Sequence, residues 1–242
     1  MRVLSYNIHK GVGGSDRLYR LERVIEVINS INADFICLQE VDFNVRRSHF
    51  HNQPQLIAQS MSSFSNIFQL NVPHREGGYG NLLLSRWPLH VHHHVSLQHR
   101  SRKPRGAQMA VVDSPEGKLV LVNFHLGLAE TERRWQVRHL LGHKLLKDVS
   151  HLPTLITGDF NDWRNTLSRH AFRHHSFRQA TAPTRRFRSF PAFFPLASLD
   201  KLFLRGAIHI SHVHVLKNRL ARQASDHLPL IADFNLHQDQ KN

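Results

Sequence analysis

The sequence has one cysteine and no long apolar run in its 242 residues. A single thiol excludes an intramolecular disulfide and a thiolate metal site, and Cys37 lies in an apolar run that predicts an inert, buried side chain. No stretch approaches the roughly 20 apolar residues of a membrane-spanning helix. The N-terminus has the pattern of a strand from its second residue, without the features of a secretory signal. We therefore expect a cytoplasmic protein.

Acidic residues are also scarce, with 18 Asp and Glu against 32 Lys and Arg and 21 His, which gives a net charge of +14. A balance this basic favours polyanionic partners such as nucleic acid, anionic lipid surfaces or phosphorylated small molecules. The alternative is that the charge only keeps the protein soluble. The chain has no linker, repeat or low-complexity segment, so we expect a single domain over residues 1–242 with a frayed polar tail at 236–242.

The stretch at residues 154–163 combines an apolar run with an abrupt polar end. The run 154–157 stops at Gly158, and Asp159 and Asn161 follow two residues apart. In an extended backbone these two side chains point to the same face, with Phe160 turned into the protein. They would place a charged acceptor and a neutral donor around one reacting group. The alternative is a turn in which Asp159 or Asn161 caps a following helix.

The placement of the remaining acids favours the functional interpretation. Residues 149–232 contain four acids, Asp159, Asp162, Asp200 and Asp226, among many Arg, Lys and His. Three of the four lie beside apolar runs typical of strands. Carboxylates at strand ends with a cationic surround suit a metal and a phosphate.

Apolar periodicity predicts a mixed α/β chain. Strands are predicted at 3–8, 35–38, 82–85, 91–97, 107–112, 119–124, 154–157, 199–204, 207–216 and 228–235. Helices are predicted at 18–29, 54–64 and 130–146, and residues 77–81 form a predicted glycine-rich turn. The first strand–helix–strand unit predicts a crossover connection on a mixed sheet.

Three basic segments have open interpretations. The histidines at 90–94 lack partner ligands at zinc-site spacing, so we expect them on the surface. In the loop 100–105, Arg105 lies at a strand edge and could contact a phosphate. The segment 185–194 interleaves Arg with Phe, a mixture that can grip a nucleic-acid backbone or lie against a lipid headgroup layer. The alternative is that its phenylalanines simply pack into the core.

The polar residues at the strand ends occur in a recognisable order. The pieces are Ser5-Tyr6-Asn7, Leu38-Gln39-Glu40-Val41, Gly80-Asn81-Leu82-Leu83-Leu84-Ser85-Arg86, Asn123-Phe124-His125-Leu126, Gly158-Asp159-Phe160-Asn161, Leu199-Asp200-Lys201-Leu202-Phe203 and Ser225-Asp226-His227-Leu228-Pro229-Leu230. Together they resemble the endonuclease/exonuclease/phosphatase (DNase I-like) superfamily of Mg²⁺-dependent phosphoesterases. The segments His9-Lys10-Gly11, 125–128 and 158–163 further resemble a small bacterial branch of uncharacterised members. The resemblance implies a four-layer α/β/β/α sandwich, in which two packed mixed β-sheets are flanked by helices.

The resemblance also implies a metal site. Glu40 would anchor Mg²⁺, with Mn²⁺ as the alternative metal, and Asn7 and Asp226 would complete or orient its shell of oxygens and waters. Mg²⁺ typically takes one or two protein carboxylates and keeps several waters. Asn81 and Arg105 are supporting candidates for substrate binding.

The catalytic roles follow from the same resemblance. Asp159 would position and deprotonate the attacking water, while Asn161 would donate to a non-bridging oxygen. His227 would bind the phosphate with its ring held by Asp200, and His125 would add a second imidazole donor.

These features indicate a metal-dependent hydrolase acting on ester bonds. The expected reaction is hydrolysis of a phosphodiester in nucleic acid or in a phospholipid headgroup, by metal-assisted in-line attack of water. Peripheral membrane contact is compatible with it, and no stable protein partner is implied. The alternative is a non-catalytic basic nucleic-acid-binding protein on the same scaffold. The set of acids argues against that alternative, because a binder of polyanions gains nothing from carboxylates in its cleft.

Overall fold

Two six-stranded β-sheets pack face to face in this computed structural model, which describes residues 1–61 and 64–236. The strands are β1 Arg2–Asn7, β2 Phe35–Phe43, β3 Ser65–His74, β4 Gly77–Ser85, β5 Leu89–Ser96, β6 Gly106–Ser114, β7 Gly117–His125, β8 Thr154–Asp159, β9 Arg178–Gln179, β10 Asp200–Arg205, β11 Ile208–Val215 and β12 Leu230–Leu236. The helices are α1 Leu21–Ile31, α2 Gln53–Ser60, α3 Glu130–Gly142, α4 Lys144–Asp148 and α5 Arg219–Ala224. The predicted sandwich of two mixed sheets with outer helices is confirmed.

The two sheets have matching designs. The first has the order β11-β12-β1-β2-β4-β3 and the second has the order β5-β6-β7-β8-β10-β9. Each contains one parallel pair, β1 with β2 and β7 with β8, and the other pairs are antiparallel. A parallel pair needs a crossover, and the helices α1 and α3–α4 provide it on the outer faces.

The side chains of β7 show how the layers form. Leu119 and Leu121 belong to the core cluster between the two sheets, whereas Val120, Val122 and Phe124 belong to the cluster under α3. This is the period-2 alternation of a strand that is buried on both faces. Strand β7 is therefore held between two apolar layers, and its polar last residue, His125, reaches the edge of the sheet.

The glycine-rich segment 77–81 departs from the prediction. It is the buried beginning of β4 and not a turn, and its partner β3 was not predicted from the sequence. A Cβ on Gly80 would lie 1.7 Å from the Gln69 carbonyl oxygen, so the glycine permits close approach of the two strands. The lack of side chains, which suggested a turn, is a requirement of the sheet here.

Further elements end differently from the prediction. The helix predicted at 130–146 breaks at His143, whose backbone is extended, and α4 starts there with the His143 side chain accepting from Leu145 N. The short helix α5 was not predicted. Leu236, placed in the frayed tail, is the last residue of β12, and residues 237–242 lie outside the described residues. The single domain over 1–242 stays a prediction. Within the described chain, the helices are all too short or too polar to cross a membrane.

Candidate active site

The strand register brings the candidate residues to one edge of the sandwich. In the second sheet, Asp159 lies opposite His125 on the parallel strand β7 and opposite Asp200 on the antiparallel strand β10. In the first sheet, Asn7 ends β1 opposite Gln39, beside Glu40. The carboxyl ends of parallel strands meet the amino ends of their antiparallel neighbours at the same edge. Residues that are far apart in sequence therefore converge across both sheets.

Asp159 and Asn161 lie side by side, as predicted, but by a different backbone route. Asn161 has a left-handed backbone with φ 49°, so the chain turns there instead of staying extended. Asp159 Oδ1 accepts from Asn161 N at 2.9 Å, and Phe160 is fully buried. The capping alternative does not apply to either residue, because Asp162 accepts from Thr166 N and Leu167 N and forms the following turn.

Three side chains converge on one oxygen of Asp159. Asn7 Nδ2 donates to Asp159 Oδ2 at 3.1 Å, His125 Nε2 lies 3.5 Å away and His227 Nε2 lies 3.7 Å away. The Asp159 side chain is almost fully buried. Burial raises the pKa of Asp159 above the ordinary carboxyl range, against the opposing effect of His227. This carboxylate is therefore a stronger base than a solvated aspartate.

His227 is oriented by Asp200, the contact that the sequence resemblance implied. His227 Nδ1 lies 2.9 Å from Asp200 Oδ2, an oxygen that also accepts from Ser189 Oγ. Burial acts to lower the pKa of His227, but the carboxylates of Asp200 and Asp159 outweigh it and raise the pKa. The ring of Phe190 packs on the imidazole at 4.8 Å. His227 is therefore a fixed cation facing Asp159.

The second imidazole, His125, is neutral. Burial and the guanidinium of Arg105 hold the pKa of His125 well below its usual value. Arg105 Nη1 lies 3.3 Å from Nδ1, and Asn161 Nδ2 lies 3.1 Å from Nε2. Arg105 is buried and its Nε has no hydrogen-bond partner among the described residues. Arg105 thus supplies an unused donor at the edge of the site, where an anion can accept from it.

Glu40 reaches the site through an irregularity in β2. Gln39 and Glu40 together lie opposite Asn81, which makes a β-bulge, and Glu40 has a left-handed backbone with φ 57°. Such bulges redirect a side chain out of the regular alternation. Glu40 Oε2 contacts the ammonium of Lys10, and Oε1 lies 3.9 Å from His125 Nδ1. Burial acts to raise the pKa of Glu40, but the neighbouring basic side chains, Lys10 foremost, together outweigh it and lower the pKa to about 2.

The donor set around Glu40 suits a hydrated hard cation. Asn7 Oδ1 accepts from His9 N at 3.0 Å, and His9 Nε2 lies 3.8 Å from Asp226 Oδ2, so Asn7, His9 and Asp226 line one side of the site. Residues 1–61 and 64–236 contain no compact group of three His, Cys, Asp or Glu that would cage a metal. Oxygen donors from Glu40, Asn7 and Asp226 fit Mg²⁺, which keeps much of its water, better than they fit a tightly caged metal.

Asn81 supports the site from behind. Its side chain is buried and donates to Gly106 O at 3.0 Å, next to Arg105. Between the sheets, Asn123 Nδ2 lies within 3.0 Å of Leu38 O, and Asn123 Oδ1 accepts from Gln39 at 2.8 Å. These amides hold the β2 bulge against the second sheet. The Asn81 side chain contacts the scaffold in this arrangement, and its role in substrate binding stays a prediction.

The sequence interpretation missed three residues that complete the site. Lys10 contacts Glu40, His9 faces Asp226, and Ser189 holds Asp200. His9 and Lys10 lie two and three residues after Asn7. Their place just after the end of β1 was a usable signal that they belong to the same site. Ser189 lies in an irregular segment, and its pairing with Asp200 has no sign in the local sequence.

Both the sequence and the fold are similar to those of known proteins. Residues 4–227 match the sequence profile of the Endonuclease/Exonuclease/phosphatase family. The Escherichia coli (strain K12) protein YbhP, described as uncharacterized, is 32% identical over 97% of this chain and 96% of its own length. The mannosyl-6-phosphatase Bt3783 of Bacteroides thetaiotaomicron has a TM-score of 0.77 at 17% identity, with 97% of this chain and 99% of that chain covered. The human Nocturnin catalytic domain, solved with a bound sulfate anion, has a TM-score of 0.72 at 21% identity, with 98% and 93% covered.

Proposed function

The chain belongs to the endonuclease/exonuclease/phosphatase family of phosphoester hydrolases, and from that premise we propose that it is a Mg²⁺-dependent phosphodiesterase acting on nucleic acid or phospholipid. The observation that supports this proposal is the convergence of Asn7, His125 and His227 on Asp159 Oδ2. A buried carboxylate between two imidazoles and an amide can accept a proton from water beside a bound phosphate.

In the proposed mechanism each residue acts at a defined atom. Asp159 Oδ2 accepts the proton of the attacking water, and its raised pKa suits a base that works near neutral pH. His227, held by Asp200 and positively charged, donates from Nε2 to a phosphoryl oxygen as negative charge builds there. Glu40, with Asn7 and Asp226, would hold the Mg²⁺ ion, which would supply Lewis-acid polarisation of the phosphate and offset charge on the leaving oxygen.

Anion binding involves Arg105 as well. Its buried Nε has no partner among the described residues, and its Nη1 contacts His125 beside the catalytic aspartate. Arg105 Nη1 already faces His125 Nδ1, so the unpaired Nε is the donor that would be left for a phosphate. The non-catalytic binding alternative is disfavoured, because Glu40, Asp159 and Asp200 would repel a polyanion that is merely bound.

The test is hydrolysis of bis(p-nitrophenyl) phosphate with Mg²⁺, with Mn²⁺ and with a chelator. We expect chelation to abolish turnover, and Asp159→Asn or His227→Ala to lower kcat by about 10²–10⁴-fold, the usual size of a lost acid–base group. The matched control is Asp113→Asn, which removes an exposed carboxylate of β6. Full activity in Asp159→Asn would exclude the assigned base, and unchanged Mg²⁺ activation in Glu40→Gln would exclude Glu40 as a ligand.

A substrate panel then separates the two phosphodiester classes. Plasmid DNA, abasic duplex, RNA and vesicles of defined phospholipid composition are compared under the same Mg²⁺ conditions. The class with the highest kcat/KM identifies the physiological chemistry, and loss of that activity in Asp159→Asn shows that the same site is used.

A further inference from the structure

An uninterrupted apolar loop lies beside the candidate active site. Residues 190–197, here called the aromatic loop, read Phe-Pro-Ala-Phe-Phe-Pro-Leu-Ala and contain no polar side chain. Phe193 and Phe194 are 63% and 64% exposed, and Leu196 is 57% exposed. Trp163, from the turn after β8, is 60% exposed. The alternative that the phenylalanines pack into the core is thus wrong for Phe193 and Phe194. Phe187 is buried, as that alternative predicts.

Most of the backbone N–H groups of the aromatic loop are hydrogen-bonded. Its two prolines have no N–H, and five of the other six residues donate to backbone carbonyls, including Phe194 N to Pro191 O and Leu196 N to Phe190 O. Arg222 donates to the carbonyls of Ala192 at 3.2 Å and Phe193 at 2.8 Å. Most peptide N–H groups at this apolar surface are thus paired, which lowers the cost of entering a hydrocarbon environment, because unpaired peptide groups are what make such transfer unfavourable.

Contacts tie the loop to the catalytic residues. Ala192 N donates to Asp226 O at 2.7 Å, and Leu228 N donates to Ser189 O at 2.9 Å. The ring of Phe190 packs on His227 at 4.8 Å, and Trp163 packs on Phe190 at 5.9 Å. A partner that covers the exposed aromatic groups would therefore lie directly beside the phosphate site.

The surrounding charge has one sign. Residues 163–225 contain twelve Arg and Lys and a single acid, Asp200, which is fully buried. Arg185, Arg186 and Arg188 are exposed, and Arg185 and Arg188 share a shallow pocket with Trp163 and Leu196. The exposed apolar residues of the aromatic loop, here called the apolar tip, are thus bordered by cations. Residues 163–225 contribute no exposed carboxylate beside them.

We propose that the aromatic loop and Trp163 insert into the surface of an anionic lipid bilayer, with Arg185, Arg186 and Arg188 on the headgroups. Grooves for single-stranded nucleic acid interleave cations with aromatic platforms. Here the exposed apolar residues include Leu196 beside Pro195, which offer no ring for stacking on a base. An apolar tip with a basic border is the arrangement of an interfacial membrane contact.

Vesicle binding tests this proposal without requiring turnover, so its failure is separate from failure of the proposed hydrolysis. The full chain is sedimented with vesicles of phosphatidylcholine alone and with added phosphatidylglycerol. We expect binding to the anionic vesicles, a blue shift of tryptophan fluorescence, and at least about a tenfold loss of binding in the Phe193→Ser/Phe194→Ser double variant. The Arg185→Glu/Arg188→Glu variant is expected to lose at least roughly 30-fold, since each of the two basic residues near the surface contributes about 1 kcal/mol and the substitutions also reverse the charge.

The matched control is Phe50→Ser, because Phe50 is 62% exposed but lies on the turn between β2 and α2. It is expected to bind like the wild type. Equal binding of the wild type and the Phe193→Ser/Phe194→Ser variant overturns the proposal, and so does binding that high salt removes completely. Oligonucleotide binding that is lost in the double variant, with no vesicle binding, assigns the loop to nucleic acid instead. All five substituted residues are exposed, and equal thermal unfolding of the variants confirms that folding is unchanged.

Discussion

His227 Nδ1 lies 2.9 Å from Asp200 Oδ2, and both side chains are buried at the edge where the two sheets meet. Asp200→Asn keeps the shape but removes the charge that orients the imidazolium. We expect kcat to fall by about 10²-fold or more, with a smaller change in KM, because the charge acts on the transition state. The pKa of His227, followed by NMR of its ring protons, is expected to fall as well. A variant with normal kcat and an unchanged His227 pKa would show that Asp200 only fills space.

Lys10 contacts the Glu40 carboxylate, where a divalent cation would bind. Lys10→Met removes the competing ammonium, so we expect Mg²⁺ or Mn²⁺ to bind about three- to tenfold more tightly, measured by calorimetry without substrate. Lys10→Arg keeps the charge and serves as the control. An unchanged Kd in Lys10→Met would mean that the ammonium and the metal do not share the carboxylate.

Lys201 is buried in β10 and donates to the carbonyls of Asp162 and Ser198 at 2.8 and 2.7 Å. Burial lowers the pKa of Lys201 from 10.5 to about 8. Between these two values the unfolded chain keeps a proton that the folded protein has lost. Raising the pH from about 8 to 10.5 therefore stabilises the fold, by about 3 kcal/mol at most.

Urea unfolding at several pH values checks this prediction. The free energy of unfolding of the wild type should rise with pH relative to that of Lys201→Met, which cannot titrate. Lys118→Met removes an exposed lysine of β7 and should follow the wild type. Parallel pH profiles for wild type and Lys201→Met would contradict the prediction.

Gly158 precedes Asp159, the proposed base, and has φ 146°. A Cβ there would lie 2.0 Å from the Phe124 carbonyl oxygen on the paired strand. Gly158→Ala is expected to destabilise the protein by about 2–4 kcal/mol and to lower activity, because Asp159 must shift with the strand. Gly142→Ala, at a position where nothing lies within 4 Å, should leave stability unchanged or slightly higher. Equal melting temperatures for the two variants would show that β7 and β8 can separate without cost.

The sequence predicts the strand ends that carry the candidate residues better than it predicts the connections. Apolar runs that end in Asn7, His125 or Asp159 mark strand ends locally, so these positions were identified without coordinates. The role of Glu40 depends on the bulge opposite Asn81, which arises from pairing with a distant strand and leaves no periodic signal. Strand β3 was also missed, because it is partly exposed and its mixed residues carry no periodic apolar signal.

Some signals also have two physical meanings. A run of glycines indicates a turn when the chain is solvated, but the same run permits close strands in a sheet, as Gly80 does against Gln69. The segment 185–194 had the composition of either a packed or a binding surface, and only tertiary placement separates Phe187 from Phe193. Composition fixes the amount of apolar surface, while the fold decides which part of it meets water.

The proposed active site takes residues from both sheets. Asn7 and Glu40 come from one sheet, and His125, Asp159 and Asp200 come from the other. Neither sheet carries a complete set. A folding intermediate with one sheet formed would be silent in any turnover assay, whatever its helicity or compactness. The rate at which activity recovers during refolding would therefore measure the rate at which the two sheets finally dock.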